Sequence, residues 1–447
     1  MPRASTLSIP PRAAAPPPAL NHALRRWLAR ELRRLRPAVA ASSAACGADR
    51  YRKHFAADAH LALLVFHGLS GLPSLRQSYG AFAACAGLVE VSGLAPLPPA
   101  PSGDLGVSFS QYAASNTSRP AAFLSGLLPA LCARVRQAPP AAGVAPPRDL
   151  RVIDSTFLRV CLHHAWLPSR GGADVPGVRV QVPYTPAWDL PEHVLITDTR
   201  TPDGQGLEQA LLDDPDRLAE LRGQTLALDL GYYAHRRFVR LGDAQVHFVT
   251  RRHPQAQLTV EADLPVPVPL PLADSPPGRI RVLHDQRVTL GSPNNRRGAV
   301  LPGLRLVTAT VTPQPRAARQ GAPPVVYEVL TDRWDLPAAD VVQLYLWRWQ
   351  IELFFRWLKR YVYLLHLLGY SRNAVELTVA LALLVHLLTV LAAHALGWAR
   401  RSPALRARLG WLLGQLTPAE LVPDPPTAWQ LRLPGCGPPL PLLTHGI

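Results

Sequence analysis

The chain contains the run Tyr345-Leu-Trp-Arg-Trp-Gln-Ile-Glu-Leu-Phe-Phe-Arg-Trp-Leu-Lys359. If the run is helical, about 100° per residue brings four polar side chains within roughly a 60° arc: Tyr345, Arg348, Glu352 and Lys359. A solvated helix scatters its charges and a core helix excludes them. One helical face with a metal-capable carboxylate beside phosphate-capable cations therefore indicates chemistry on a nucleic-acid backbone. The tryptophans of the run are expected to pack in the core.

Two further carboxylates lie upstream, each after a short apolar segment. They occur in Leu150-Arg-Val-Ile-Asp154-Ser-Thr and in Thr225-Leu-Ala-Leu-Asp229-Leu-Gly-Tyr-Tyr. Each segment predicts a strand with an acid at its end, where an α/β sheet opens its ligand crevice. Either aspartate alone would be assigned to a turn or a helix cap. With Glu352 they form a set of three carboxylates that can hold two Mg²⁺ ions, or Mn²⁺, for in-line displacement at phosphate.

The spacing Y-(2)-R-(3)-E-(6)-K, filled by Tyr345, Arg348, Glu352 and Lys359, resembles the signature of the DDE transposases of insertion sequence family four. Asp154-Ser-Thr and Asp229-Leu-Gly-Tyr-Tyr are similar to the first two acid motifs of that family, and Phe248-Val-Thr-Arg251 is similar to the strand that follows. The resemblance covers roughly residues 48 to 397. Leu230 departs from it, because the family usually has arginine directly after the second acid.

The resemblance implies an α/β fold, in which an RNase H-like catalytic domain is interrupted by a β-rich insertion and preceded by a small helical domain. It implies that Asp154, Asp229 and Glu352 are the catalytic residues and the metal ligands. It also implies DNA-phosphate contacts, which it assigns to Tyr345, Arg348, Lys359 and Arg251.

The activity implied is metal-dependent cleavage and strand transfer at the ends of an insertion sequence. The implied partners are double-stranded DNA, as terminal inverted repeats and as target, and a second copy of the chain on that DNA. Two alternatives stay open: an RNase H-like nuclease without strand transfer, and an inactive copy that only binds DNA. A further alternative is a membrane protein, because the apolar run Leu377–Leu396 is about long enough to span a bilayer. We favour the other interpretation of this run, a helix buried at the centre of a large domain.

The overall composition agrees with a polyanionic partner. The formal net charge is +16 and the pI is about 10.4, which suits nucleic acid. Lys359 is one of only two lysines among 47 cations. Five cysteines without a C-x-x-C pair predict neither a disulfide framework nor a zinc site. No secretory signal is recognised near the N-terminus, so a bacterial cytoplasmic, nucleoid-associated protein is expected.

The predicted organisation has six segments, which follow from shifts in composition and from the motif positions. They are a basic Pro/Ala-rich arm (1–45), a helical DNA-binding domain (46–137), the first part of the catalytic domain (149–252), the β-rich insertion (253–324), the second part of the catalytic domain (325–400) and a C-terminal tail (401–447).

Overall fold

The structure is a computed structural model. It describes residues 18–50, 55–72, 74–85, 88–89, 92, 94, 105–138, 146–159, 177–266, 280–292, 299–312, 323–362, 364–397, 401 and 403–416.

Helices form the N-terminal part of the described chain: α1 (Pro18–Cys46), α2 (Ala57–Ser70), α3 (Leu75–Ala83), α4 (Phe109–Ser118), α5 (Ala122–Ser125) and α6 (Leu128–Gln137). Local sequence sets several of their ends. Gly71 adopts φ 74° directly after α2, a left-handed conformation that favours glycine as a helix stop. Ser108 and Gln111 form a reciprocal capping box at the start of α4.

The chain from residue 150 onward alternates strands with short helices. Its elements are β1 (Leu150–Arg159), β2 (Gly177–Thr185), β3 (Leu190–Pro191), β4 (Leu195–Asp198), α7 (Asp203–Leu207), α8 (Pro215–Glu220), β5 (Thr225–Leu228), α9 (His235–Asp243), β6 (His247–Arg251), β7 (Leu258–Asp263), β8 (Ile280–Leu290), β9 (Leu301–Val311) and β10 (Val325–Thr331). The chain then forms α10 (Ala338–Trp347), α11 (Trp349–Tyr361), α12 (Arg372–Leu396) and α13 (Pro403–Leu413).

All ten strands belong to one mixed sheet in the order β3-β2-β1-β5-β6-β10-β9-β8-β7, with β4 also paired to β2. The central pairs β1·β5 and β5·β6 are parallel, and the other pairs are antiparallel. Parallel strands at the centre direct the ends of β1, β5 and β6 to the same edge of the sheet. This edge positions the candidate site.

Strands β7, β8 and β9 lie between β6 and β10 in the sequence and extend the sheet on one side. The sequence predicted two short strands, Ile280–His284 and Arg287–Leu290, but the structure has the single strand β8. Irregular pairing with β9 between Val282 and His284 accommodates the change of side-chain pattern without ending the strand.

Helix α12 is the apolar helix that raised the membrane alternative. Among the described residues, it is the one helix that is both long enough and apolar enough to cross a bilayer. Of its most apolar stretch, 83% is buried inside the protein. It packs against α2, α4, α5 and α6. The Asn373 amide accepts a hydrogen bond from the Ala121 N–H at 2.8 Å and donates one to the Arg119 carbonyl at 2.7 Å. Protein therefore surrounds this helix, as the buried-core prediction requires.

Candidate active site

Asp154 and Asp229 stand at the same edge of the sheet on neighbouring strands. The parallel pairing of β1 with β5 ends at Val152 opposite Ala227, and each aspartate lies two residues beyond that pair. Since side chains alternate along a strand, both carboxylates continue the face that carries Val152 and Ala227. Asp154 is in the interior of β1, where the sequence predicted a strand end, because β1 continues in antiparallel pairing with β2.

The acid-bearing segment consists of two helices, where the sequence suggested one. Helices α10 and α11 meet at Arg348, whose φ of −51° and ψ of −35° are still right-handed helical. Arg348 therefore stays helical between the two helices and contacts both Tyr345 at the end of α10 and Glu352 in α11. Ile351, Phe354 and Trp357 bury the opposite side of α11 in the core.

Arg348 joins the carboxylates of the sheet and the helix. Its Nη2 donates to Glu352 Oε1 at 2.8 Å, and its Nη1 lies 3.9 Å from Asp154 Oδ2. The guanidinium carbon also lies 5.7 Å from the centre of the Tyr345 ring. Burial acts to lower the pKa of Arg348, but the charges of Tyr345 and Asp229 and the hydrogen bond to Glu352 raise it above its ordinary value. The arginine is therefore a permanent cation among the three acids.

The pKa of Asp154 is raised to about 6. Burial is the largest cause, and the charges of Asp229 and Glu352 add to it, while the Ser155 N–H and Arg348 act in the opposite direction. The three acids are thus close enough to repel one another in a partly desolvated place. Such repulsion favours a bound cation, which would keep Asp154 ionised.

The three acids are the ligands that the sequence predicts for divalent ions. No three His, Cys, Asp or Glu side chains of the described chain stand close enough to hold a metal ion together. The donor set nevertheless fits in its chemistry, because carboxylate oxygens are the ligands of Mg²⁺. Arg348 lies 3.9 Å from Asp154 and 2.8 Å from Glu352, so it offsets part of the negative charge of this cluster.

The predicted phosphate contacts lie around these acids. Lys359 lines an open groove together with Asp154 and Glu352, and burial lowers its pKa. Arg251 ends β6 and is exposed, with its guanidinium 5.3 Å from the Tyr327 ring. The Arg251 charge acts on Tyr345. The structure therefore places the seven residues assigned to the site in one region, in which Tyr345 is buried and Arg251 is exposed.

Tryptophans near the site divide between core and surface. Trp357 is 3% exposed, in agreement with the expected core role. The same prediction is wrong for Trp349, which is 49% exposed, because this residue begins α11 on the side away from the core.

The sequence did not reveal a second polar cluster beside Asp154. Ser155 Oγ donates to Asp203 Oδ1 at 2.7 Å, and the Arg179 guanidinium forms an ion pair with the same carboxylate. Burial and the charges of Asp154 and Asp203 raise the pKa of the Tyr232 hydroxyl. Asp203 follows a proline at the start of α7, a position that sequence alone assigns to helix capping. No local spacing signalled its contact with β1, since 48 residues separate it from Ser155.

Comparisons with known proteins find similarity to transposases. The family model described as "Transposase DDE domain" matches residues 145–388, more than half of the chain and a range that includes all three acids. A putative transposase of Sinorhizobium fredii is 27% identical over 245 residues, which cover 55% of this chain and 61% of the relative. A probable transposase for an insertion sequence element of Geobacillus stearothermophilus is 27% identical over 230 residues, which cover 51% and 52%.

The chain thus spans about half to three fifths of these curated relatives. Among solved structures, a piggyBac transposase synaptic complex with hairpin DNA is similar at a TM-score of 0.30 and 11% identity, over 62% of this chain and 54% of that one. The residues that the family model matches include the whole sheet, Asp154, Asp229 and the helix α11 that carries Glu352. By that match, the chain belongs to the transposase DDE domain family.

Proposed function

We propose that this protein is a DNA transposase that cuts at the ends of an insertion sequence and transfers the freed strands to new DNA. The observation that carries the proposal is the position of Arg348, which pairs with Glu352, lies 3.9 Å from Asp154 and is acted on by the charge of Asp229. The cluster lies at the sheet edge where α/β proteins bind their ligands. The net charge of +16 supports DNA as the partner.

Metal-assisted phosphoryl transfer is the reaction that this cluster favours. Asp154, Asp229 and Glu352 would hold two divalent cations, Mg²⁺ or Mn²⁺, whose chemistry activates an attacking oxygen and stabilises the leaving one. The carboxylates must be ionised for this role, and Asp154 is the one for which burial and repulsion oppose ionisation.

The chain's own cations orient the phosphate. Arg348, 12% exposed, is directed by Glu352 and by Tyr345, so its guanidinium is held in place before substrate arrives. It would form charge-assisted hydrogen bonds to phosphate oxygens. Lys359 and Arg251 would contact neighbouring phosphates of the backbone.

Two successive displacements account for cutting and joining. In the first, a water oxygen forms a bond to phosphorus while the bond from phosphorus to the 3′ oxygen breaks, and that oxygen takes up a proton. In the second, the released 3′-OH loses its proton and attacks a phosphodiester of the target, whose own 3′ oxygen leaves. Both steps use the same acids and need no oxidant or reductant.

The finer assignments are parts of the same proposal. The Y-(2)-R-(3)-E-(6)-K spacing supports insertion sequence family four, and three strands between β6 and β10 support a β-rich insertion in an RNase H-like domain. Transposition requires both ends to be held together, which supports a homodimer on paired terminal inverted repeats.

The test is cleavage of a labelled duplex that carries the DNA bordering this reading frame. The full chain is incubated with Mg²⁺ or with EDTA, beside Glu352→Gln and the matched surface control Glu376→Gln. We expect nicking at one fixed position with Mg²⁺, loss of nicking in Glu352→Gln, and full activity in the control. Joined products distinguish a transposase from a nuclease. Binding without cutting by the wild type would instead identify an inactive DNA-binding copy.

A further inference from the structure

Helix α11 carries cations beyond those of the four-residue motif, and they line the same groove as the acids. Arg356 and Arg360 border this groove together with Lys359, Asp154 and Glu352. Both arginines are exposed. The groove therefore has carboxylates at one end and three cations along the helix.

The spacing along α11 orders these charges. Arg356 lies one turn and Arg360 two turns beyond Glu352, which corresponds to steps of about 6 Å along the helix axis. Their directions differ by about 40° per step, so both stay on the helical side that carries Glu352 and Lys359. The opposite side of the helix is buried. The cations thus form a row that leads away from the acids.

Other arginines near the site form ion pairs within the protein, whereas Arg356 and Arg360 differ in this respect. Arg348 is paired with Glu352, and Arg252 with Glu328 at 2.8 Å. In the part of the chain that the structure describes, no acidic side chain forms an ion pair with Arg356 or Arg360. Their charges face solvent beside the groove, where an external anion can neutralise them.

We infer that Arg356 and Arg360 extend the active site into a track for the DNA backbone, in which one strand runs along α11 from Glu352 towards Arg360. The distance of about 12 Å between these two positions corresponds to three or four phosphates of one strand along the axis of a duplex. The contacts are to phosphates, so they fix the strand's position and do not read its sequence. The inference rests on the proposed function, since it assumes that DNA occupies the groove.

The experiment measures binding in EDTA, so that its result does not depend on catalysis. Full-length protein is titrated onto two fluorescent duplexes of equal length, one bordering the reading frame and one unrelated, over a series of salt concentrations. The variants are Arg356→Gln, Arg360→Gln and the double variant. Arg222→Gln is the matched control, because it removes an exposed arginine just before β5, at the opposite end of the strand from Asp229.

Each single variant is expected to reduce the slope of log affinity against log salt by about 1, and the double variant by about 2, on both duplexes. Arg222→Gln should keep the wild-type slope, and the double change Arg356→Lys with Arg360→Lys should restore most of it. Thermal unfolding of each variant verifies the fold. If the double variant kept the wild-type slope of log affinity against log salt, the proposed DNA track along α11 would be wrong. A reduced slope in a protein that never cuts with Mg²⁺ would keep the track and reject the transposase.

Discussion

Asp154→Asn is expected to stabilise the metal-free protein while it abolishes cleavage. The Asp154 pKa of about 6 lies roughly two units above the ordinary value of 3.8 for an aspartate, and each unit corresponds to about 1.4 kcal/mol. The side chain is 22% exposed, so solvent screening reduces the free energy that corresponds to this pKa shift. Ionising Asp154 in the folded protein then costs about 2 kcal/mol at neutral pH. Asparagine has nearly the same shape and avoids this cost.

The sign of the pH dependence follows from the direction of the shift. Because the pKa of Asp154 is higher in the folded chain than in the unfolded chain, the folded state binds more protons between about pH 4 and pH 6. The contribution of Asp154 to the free energy of unfolding therefore decreases as pH rises through this window. Below about pH 4 the carboxyl is protonated in both states, and the asparagine variant should have no advantage there.

The assay is urea denaturation of wild type and Asp154→Asn in EDTA at pH 4 and at pH 7. We expect a difference of about 2 kcal/mol at pH 7 and little difference at pH 4. Asp198→Asn is the control, since that aspartate lies on β4 away from the three acids. Equal stability of wild type and Asp154→Asn at pH 7 would refute the electrostatic interpretation of the site, even if cleavage were lost.

The remaining predictions concern the arginine of the site and two buried regions. Arg348→Met should raise the affinity of DNA-free protein for Mn²⁺ about tenfold or more, measured by calorimetry, because it removes the cation that lies 2.8 Å from Glu352 and 3.9 Å from Asp154. Cleavage should fall. Asp189→Asn, which removes the buried carboxylate that pairs with the partly buried Arg401, should lower the urea-derived free energy of unfolding by about 3–5 kcal/mol. Asp335→Asn, at a carboxylate that is 62% exposed, should change it by less than about 1 kcal/mol. Leu384→Ala, fully buried in α12, should cost about 2–5 kcal/mol in the same assay.

The sequence predicted elements whose signal is local. The apolar face of Ala57–Ser70 predicts a helix, which is α2, and the apolar run Val325–Thr331 predicts a strand, which is β10. Helical spacing also predicted that Tyr345, Arg348 and Glu352 lie together, because the backbone remains helical where α10 meets α11.

Features that depend on distant contacts were missed. Asp203 joins Ser155 and Arg179 only after the chain between them has folded back along β2. The exposed row on α11 was also missed, because Arg356 and Arg360 lie outside the motif and read as a solvated surface until their groove is seen. Whether an arginine is paired, as Arg252 is with Glu328, cannot be derived from its position in the sequence.

Helix α12 shows why the matched family region and the N-terminal helices form one folded body. This helix is apolar on all sides and must be buried on all of them. Phe354 of α11 contacts His386 of α12 at 4.9 Å between ring centres. The N-terminal helices form hydrogen bonds with Asn373 in the first turn of α12. A chain limited to residues 145–388 would lose α1 to α6 and expose much of this apolar surface to water. Since α11 packs on α12, the position of Glu352 then depends on helices that lie outside the catalytic sequence motifs.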